Sequence, residues 1–372
     1  MNTSFRFFVT FLLVLVVSGC SPQKSEPENN LIVLAYVTSS GTIMPDTDYI
    51  THINYAFGHV NEEFNGVMIN RPRRPGSEND GRPTSEDRLR SLVELKKQKP
   101  SLKILLSIGG WGSGRFSEMA ADETNRLAFA ADCQRVVLEF GLDGIDMDWE
   151  FPTSSAAGIS SSPEDTDNFT LLMRDIREAI GNDKLLTFAS PGRAGYVDFE
   201  AVDPFVDFIN IMTYDMVSNG SVHHAGLSRS ELTGRSISCE QAVDKHIEAG
   251  IAVNKLTLGM PFYGRGRDSV PNYINYRYII NVDGVLGYVD RRTRSIVTLK
   301  GHTAKWDEEA LAPYWVDSDG KFVLSYETPR SIALKCEFLR KKGMLGAMYW
   351  DYAADDDDGT LRKAVYNGVM KK

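Results

Sequence analysis

Cysteine is scarce in this chain of 372 residues, which contains four. Apart from Cys20 near the N-terminus, the three others, Cys133, Cys239 and Cys336, fall in segments whose pattern predicts helices. An odd number of thiols, with no pair at the spacing of metal ligands, argues against both a disulfide framework and a zinc site. We therefore expect three buried thiols and no bound metal.

Clusters of basic residues are also lacking. The formal net charge is −9, and the lysines and arginines are scattered along the chain. A nucleic-acid-binding surface needs a basic patch, so this class of partner is excluded. The content of hydrophobic residues (42%) and charged residues (24%) is ordinary for a globular protein with a large core.

The sequence has no apolar run long enough to cross a bilayer. Its N-terminal run covers only residues 7–17, follows Arg6 and precedes Ser18-Gly19-Cys20, a pattern typical of a signal peptide. Small residues before a cysteine resemble the bacterial lipobox, in which the cysteine becomes the lipidated first residue. We expect a signal peptide over residues 1–19, lipidation of Cys20, a flexible tether over residues 20–30, and an exported lipoprotein anchored to the membrane, in the periplasm or at the cell surface. The alternative is an ordinary secretory signal in which Cys20 has no role.

From residue 31 onward, short apolar runs alternate with amphipathic stretches. Eight runs predict strands, most followed by a predicted helix, and the economical α/β fold for such a pattern is a (β/α)8 TIM barrel. The predicted strands cover residues 31–37, 51–57, 102–108, 142–152, 185–189, 206–214, 256–262 and 344–350. Residues 264–326 break the pattern and predict a small α+β insertion between strands 7 and 8. The barrel then comprises residues 31–263 and 327–372.

The fourth predicted strand carries three acids at alternate positions, Asp146, Asp148 and Glu150. Alternation along a strand points all three toward one face, with neighbouring Cα atoms roughly 6.5 Å apart. Like charges at that distance resist joint ionisation, so one pKa should rise and a proton should be shared. A carboxyl group that is still protonated near neutral pH is what an acid catalyst needs. The alternative is a solvated acidic strand end without a function.

Polar and aromatic residues collect at the carboxyl ends of the predicted strands, where a TIM barrel places its active site. The residues that share this position are Tyr36, Phe57, Trp111, Glu150, Tyr214, Asp215 and Trp350. Their convergence predicts an active site at this end of the barrel.

Four motifs resemble those of one enzyme family. Asp-Gly-Ile-Asp-Met-Asp-Trp-Glu at residues 143–150 resembles the Asp-x-x-Asp-x-Asp-x-Glu signature of glycoside hydrolase family 18, the chitinases and their relatives. Residues 107–110 (Ser-Ile-Gly-Gly), 212–215 (Met-Thr-Tyr-Asp) and 259–265 (Gly-Met-Pro-Phe-Tyr-Gly-Arg) match three further motifs in the family's order. The resemblance runs from about residue 31 to residue 365, and the insertion resembles the subdomain that deepens the cleft in one branch of the family.

The resemblance implies a retaining, substrate-assisted hydrolysis, which departs from the usual scheme of two carboxylates. Glu150 would protonate the glycosidic oxygen, and the substrate's own N-acetyl carbonyl oxygen would be the nucleophile. Asp148 would accept a hydrogen bond from the acetamido N–H and stabilise the positive charge. Asp146 would exchange a proton with Asp148, with Tyr36 and Ser107 as candidates to hydrogen-bond it.

The same resemblance assigns the substrate contacts. Tyr214 would hold the acetamido carbonyl, with Asp215 beside it, and Trp350 would form an apolar floor beneath the sugar. We favour Trp111 as a sugar platform. The remaining candidates are Phe57, Tyr263, which could be a platform or a core aromatic, and Arg265, which could contact substrate or brace the insertion.

Several polar residues near these motifs are expected to have no catalytic part. Asp143 has the opposite strand parity from Asp146 and is interpreted as structural. The acidic run 355–358 is interpreted as a solvated loop or helix cap rather than a calcium site, and His223 and His224 as loop residues. Asp351 stands where many relatives carry Glu, which could alter a substrate hydrogen bond.

Three hypotheses about function remain. The first is a chitinase-type glycosidase that hydrolyses chitin or chito-oligosaccharides and acts as a monomer without a cofactor. The second is an endo-β-N-acetylglucosaminidase acting on N-glycan cores, which the cleft-deepening insertion disfavours. The third is a lectin on an inactive scaffold, which the presence of Glu150, Asp148 and Tyr214 disfavours.

Overall fold

Eight parallel strands hydrogen-bond in sequence order, and the first pairs with both the second and the eighth, which closes a barrel. The strands are β1 (Ile32–Thr38), β2 (His52–Val60), β3 (Lys103–Gly109), β4 (Gly144–Asp148), β5 (Leu185–Pro191), β6 (Phe208–Met212), β7 (Leu256–Pro261) and β8 (Gly346–Trp350). A short strand, Val67–Met68, pairs antiparallel with the end of β2. The predicted (β/α)8 barrel is therefore confirmed.

The computed structural model describes residues 31–70, 83–217 and 220–371. The predicted signal peptide, Cys20 and the tether lie outside these residues. Among the helices of the described ranges, none combines the length and the apolar character needed to span a bilayer.

Helices cover the outer face of the barrel. They are α1 (Ser85–Val93), α2 (Phe116–Ala121), α3 (Glu123–Phe140), α4 (Asp165–Ile180), α5 (Phe199–Val202), α6 (Cys239–Glu248), α7 (Pro329–Lys342) and α8 (Thr360–Met370). Short 3-10 helices cover Thr47–Tyr49, Glu94–Lys97, Asp203–Phe205, Glu231–Thr233, Val253–Lys255, Tyr276–Tyr278 and Tyr352–Ala354. The main hydrophobic core lies between these helices and the strands.

Local sequence explains where the helices begin and end. Thr328 caps α7 by accepting a hydrogen bond from the Ser331 N–H, and Pro329 fills the first turn, where its missing N–H costs nothing. Gly141 ends α3 in the left-handed conformation that glycine adopts without steric cost. The three cysteines of the described chain are free and buried, as predicted.

The insertion between β7 and β8 consists of two antiparallel sheets. Its strands are Tyr263–Gly266, Ile274–Asn275, Ile279–Val282, Val285–Val289, Ile296–Thr298, Thr303–Asp307, Ala312–Val316 and Phe322–Ser325. A separate hydrophobic core that includes Trp315 and Leu324 holds them together.

The helical part of the predicted α+β insertion is absent: residues 264–326, all of them described, contain one 3-10 helix and no α-helix. The composition explains this result. Aromatic and β-branched residues fit a pleated sheet, and Asp283-Gly284 connects Val282 to Val285 with positive φ at both positions. That is the backbone of a tight two-residue hairpin turn.

Candidate active site

A cavity of about 790 Å³ opens at the carboxyl ends of the barrel strands. All of the predicted site residues line it except Asp146 and Ser107, which are fully buried. The predicted residues in its wall are Tyr36, Phe57, Trp111, Asp148, Glu150, Tyr214, Asp215, Tyr263, Arg265 and Trp350. The structure thus brings together side chains from the ends of six strands and the start of the insertion.

The side chains of the acidic strand β4 alternate between two faces, as the sequence pattern predicts. Ile145, Met147 and Trp149 are buried among apolar groups. The Trp149 ring stacks on Phe116 with 5.4 Å between centroids. This packing fixes the strand, and it directs the acids at the intervening positions toward the barrel interior and the cavity.

Asp146 lies inside the barrel and accepts four hydrogen bonds from four different strands. The Tyr36 and Ser107 hydroxyls donate to its Oδ2 at 2.9 and 2.8 Å. The Thr187 hydroxyl and the Asn210 amide donate to its Oδ1 at 2.6 and 3.1 Å. Burial raises the pKa of Asp146, and all four hydrogen bonds oppose that rise. With both oxygens occupied by donors, the geometry favours the carboxylate.

Asp148 has a different environment two residues further along. It is 4% exposed, and its buried Oδ1 receives no hydrogen bond from any described residue. Burial, and then the charges of Glu150 and Asp146, raise the pKa of Asp148 well above its usual value. A proton shared by Asp146 and Asp148 would therefore reside on Asp148, which lines the cavity.

Glu150 follows the end of β4 and reaches the cavity. Burial, together with the nearby negative charge of Asp215, raises the pKa of Glu150 to about 7, against the opposing effect of a hydrogen bond from the Trp111 backbone. A carboxyl group with that pKa is largely protonated in weakly acidic solution and can still give up its proton. Glu150 therefore has the properties of a general acid.

Asp215 remains ionised because of a cation at its side. The Arg265 guanidinium binds both carboxylate oxygens, with Nε 2.6 Å from Oδ1, and His224 Nδ1 lies 3.4 Å from Oδ1. Burial alone would raise the pKa of Asp215, but His224 and Arg265 outweigh it and hold the pKa well below its usual range. Arg265 was predicted either to contact substrate or to brace the insertion. The structure shows a contact that neither alternative included, with an acid of the cavity itself.

Tyr214 offers an uncommitted hydroxyl in the same wall. Among the described residues, its only hydrogen-bond partner is the Met348 thioether sulfur at 3.9 Å, a weak acceptor. Burial, and then the nearby acids Asp148, Glu150 and Asp215, raise the pKa of Tyr214 well above its usual value. The hydroxyl therefore stays protonated and can donate to a ligand.

Three aromatic rings form the floor of the cavity. The Trp350 and Phe57 rings stack with 5.5 Å between centroids, and the Tyr36 ring packs at a tilt against Trp350 at 5.8 Å. Each ring comes from the carboxyl end of a strand, and β1 separates β8 from β2 in the barrel. A broad apolar surface of this kind suits the C–H faces of a pyranose ring.

Two glycines at the end of β3 allow this segment to lie close to β4 and to the Phe57 ring of the floor. A Cβ atom on Gly109, where φ is 136°, would lie 1.9 Å from the Asp148 carbonyl oxygen. A Cβ atom on Gly110, where φ is 88°, would lie 2.5 Å from the Phe57 ring. Glycine is required at both positions, because a side chain at Gly109 would collide with the strand that carries the acids and one at Gly110 would collide with the Phe57 ring.

Three aromatic residues of the cavity wall were not identified by the sequence analysis: Phe151, Tyr196 and Tyr273. Phe151 contacts Trp111 and Tyr273 contacts Tyr263, both of which the sequence analysis did identify. Trp111 is 62% exposed and meets the Phe151 ring edge-on, and Phe151 stacks almost parallel on Tyr196 at 5.0 Å. On another side, Tyr273 from the insertion stacks on Tyr263 at 4.4 Å. Phe151 could have been inferred from its position next to Glu150, whereas Tyr196 and Tyr273 lie in loops without a motif.

The polar residues expected to be structural do have structural contacts. Asp143 accepts hydrogen bonds from the Ile104 N–H and the Lys96 ammonium. Asp355 accepts the N–H groups of Leu361 and Arg362 in the first turn of α8, as a helix cap does. His224 is a loop residue, as expected, and it also lies against Asp215 of the cavity wall. Within residues 31–70, 83–217 and 220–371, no group of three or more His, Cys, Asp or Glu side chains could hold a metal ion.

Comparison with known proteins agrees with this geometry. The sequence profile described as "Glycosyl hydrolases family 18" matches residues 32–355. The chain is 33% identical to Chitinase A1 of Niallia circulans over 300 residues, which cover 72% of the chain and 42% of that protein. It is 29% identical to the Endochitinase of Manduca sexta over 343 residues, which cover 83% of the chain and 59% of that protein. The chain thus spans less than two thirds of the length of these two relatives.

A solved structure matches over almost its full length. It is a glycoside hydrolase family 18 N-acetylglucosaminidase from Paenibacillus barengoltzii, 33% identical to the chain, with a TM-score of 0.73. The match covers 91% of the chain and 99% of that structure. With the family profile, the barrel and the order of the four motifs in agreement, the chain belongs to glycosyl hydrolase family 18.

Proposed function

We propose that this chain is a chitinase-type glycosidase that hydrolyses β-1,4-linked N-acetylglucosamine chains, chitin or chito-oligosaccharides, with retention of configuration. The observation that carries the proposal is the meeting of three groups in one cavity with an aromatic floor. They are the acid Glu150, the buried Asp148 with one oxygen that receives no hydrogen bond from a described residue, and the Tyr214 hydroxyl with its weak bond to Met348. The names of the similar chitinases support the choice of substrate.

In the proposed reaction, Glu150 donates its proton to the glycosidic oxygen as the bond to the anomeric carbon breaks. The carbonyl oxygen of the sugar's own acetamido group attacks that carbon and forms an oxazolinium intermediate. A water molecule, deprotonated by the Glu150 carboxylate, then opens the intermediate and restores the configuration. An internal nucleophile gains several kcal/mol because it is already positioned next to the reacting carbon.

The positions of the other acids favour an internal nucleophile. A glycosidase with an enzyme nucleophile needs a second carboxylate that can reach the anomeric carbon. Asp146 is fully buried and occupied by four donors, and Asp215 is bound by Arg265. During the reaction Asp148 passes its proton to Asp146 and becomes a carboxylate. In that form it accepts the acetamido N–H and balances the charge of the oxazolinium, while Tyr214 donates to the acetamido oxygen.

The same geometry suggests how the sugar is held. The Trp350 ring would lie beneath the ring of the reacting sugar, and the exposed Trp111 ring would support a neighbouring sugar at the rim. We also propose that the protein is exported and held at a membrane by a lipid on Cys20, as its N-terminal sequence predicts.

Hydrolysis of chitotetraose by the wild type and by Glu150→Gln tests the proposed activity. We expect the variant to lose about 10²- to 10⁴-fold in kcat, because the amide cannot donate a proton, and still to bind the oligosaccharide in calorimetry. NMR of the first product should show the β-anomer. Wild-type binding without turnover would establish a lectin instead.

Two further substrates test the nucleophile and the substrate class. De-acetylated chitosan oligomers lack the carbonyl oxygen, so we expect them to remain intact in the assay that cleaves chitotetraose. Cleavage of both at similar rates would refute the internal nucleophile. Preferential release of glycan from a high-mannose glycopeptide would identify an endo-β-N-acetylglucosaminidase.

A further inference from the structure

Beneath the cavity, a chain of hydrogen bonds connects Asp146 to strand β7, which contributes no acid to the site. The Thr257 hydroxyl donates to the Asn210 Oδ1 atom at 2.8 Å, and the Asn210 Nδ2 atom donates to Asp146 Oδ1 at 3.1 Å. Asn210 and Thr257 are register partners on β6 and β7, and both are fully buried. A weaker contact of 3.5 Å joins the Thr257 hydroxyl to the Ile209 carbonyl.

The Asn210 amide is held between an acceptor at one end and a hydroxyl at the other. An asparagine amide has a donor end and an acceptor end, and only the donor end can satisfy a carboxylate. The NH2 group is therefore directed at Asp146, and the Thr257 hydroxyl donates to the amide oxygen at the other end, which holds the amide in this orientation. Without that hydroxyl, the buried amide oxygen would lack its partner, and the amide would be free to turn toward other groups.

We propose that Asn210 and Thr257 form a positioning relay that holds Asp146 as a carboxylate in one orientation, and that Thr257 thereby controls where the proton of the Asp146–Asp148 pair resides without touching the substrate. This inference rests on the proposed function, because turnover is its readout. It adds two residues of β6 and β7 that act through Asp146 on the acids of the cavity.

The relay acts within a small set of titratable groups. Asp146 is faced by Tyr36 of β1 and by Asp148 of its own strand, and Glu150 lies beyond Asp148. The other donors, Ser107 of β3 and Thr187 of β5, do not titrate. Loss of one donor makes the carboxylate of Asp146 less stable, so Asp146 takes up a proton at higher pH and competes with Asp148 for it.

The test compares Thr257→Val with Thr257→Ser in chitotetraose hydrolysis. Valine has nearly the shape of threonine without the hydroxyl, so we expect kcat to fall by at least about tenfold while KM changes little, because misplaced catalytic groups cost turnover. We also expect the acid limb of the pH profile of kcat to move to higher pH. Serine keeps the hydroxyl and should restore both the turnover and the wild-type profile.

Other outcomes would overturn the inference. Wild-type kcat and pH profile in Thr257→Val would show that the relay has no effect. A lower kcat with an unmoved profile, or equal losses in the serine variant, would assign Thr257 to packing alone. If the valine variant does not fold, Thr257→Ala is compared with Thr257→Ser, since the two differ by one hydroxyl. An inactive wild type would refute the proposed function itself, which is a separate result.

Discussion

At the scale of single residues, the acidity of the proposed proton donor, Glu150, depends on a neighbouring ion pair. Glu150 has a pKa of about 7 because it is buried and because Asp215 remains negative nearby. Asp215 in turn stays ionised because Arg265 binds both of its oxygens. The chemistry of one carboxyl group therefore depends on two other side chains, Asp215 after β6 and Arg265 at the start of the insertion.

This dependence makes a prediction for Asp215→Asn. A protonated Glu150 is required, so activity should fall as the pH rises through about 7 in the wild type. Removal of the negative charge of Asp215 lowers the pKa of Glu150, and the unpaired Arg265 lowers it further. We expect the alkaline limb of kcat/KM, which reports the pKa values of the free enzyme, to move to lower pH, measured as a pH profile on chitotetraose.

Asp167→Asn is the matched control, because Asp167 is exposed on α4 and does not line the cavity. It removes the same charge and should leave the alkaline limb in place. An alkaline limb that stays put in Asp215→Asn, or moves to higher pH, would show that Asp215 does not set the acidity of Glu150.

At the scale of elements, the close approach of β3 and β4 depends on a residue without a side chain. Gly109→Ala would place a methyl group 1.9 Å from the Asp148 carbonyl oxygen. The end of β4 must then move, so we expect a loss of unfolding free energy above the roughly 1–2 kcal/mol of an unfavourable φ, together with loss of hydrolysis. Denaturant unfolding and the chitotetraose assay measure the two effects.

Gly158→Ala separates steric collision from backbone conformation. Gly158 also has a positive φ, of 73°, but no heavy atom lies within 4 Å of the Cβ position. We expect this variant to lose only about 1–2 kcal/mol and to keep its activity. Equal effects of the two substitutions would contradict the account of Gly109.

A buried ion pair joins α7 to the chain that leaves the insertion. The Lys335 ammonium contacts Glu327, and both side chains are almost fully buried. We expect Lys335→Met to cost about 3–5 kcal/mol of unfolding free energy, because it leaves a buried carboxylate without a partner. Denaturant unfolding measures the loss.

Two further variants identify the cause of that loss. In Lys335→Met/Glu327→Leu the stranded charge is gone, and Ser331 can still donate to the Thr328 carbonyl, so most of the stability should return. Lys341→Met removes an exposed lysine from the same helix and should change stability little. A double variant as unstable as Lys335→Met would point to lost packing instead.

At the scale of the whole molecule, the proposed lipid anchor determines where the enzyme acts. We expect the full chain, expressed in a bacterial host with radiolabelled palmitate, to carry the label and to sediment with membranes. Cys20→Ser should remove the label and shift the protein to the soluble exported fraction, because no thiol remains for the lipid. Cys133→Ser is the control, since that thiol is buried in α3. An unlabelled wild type would contradict the lipoprotein proposal.

Much of the molecule could be predicted from the sequence, because the relevant signals are local. Apolar runs of strand length predict the eight strands, and the period of two in β4 places Asp146, Asp148 and Glu150 on one face. Since parallel strands of a barrel share one carboxyl end, the residues that follow each strand were expected to meet there. The family motifs lie at these same positions.

Only the tertiary structure decided which partner each of these residues has. Thr187, Asn210 and Thr257 are ordinary strand residues in the sequence, and His224 and Tyr273 lie in loops, yet they contact Asp146, Asn210, Asp215 and Tyr263. Such contacts join strands and loops far apart in the chain, and the barrel's closure and the register of its strands bring them together. The sequence by itself therefore determined the fold and the acids, whereas burial and long-range hydrogen bonds decided how the pKa of each acid is shifted.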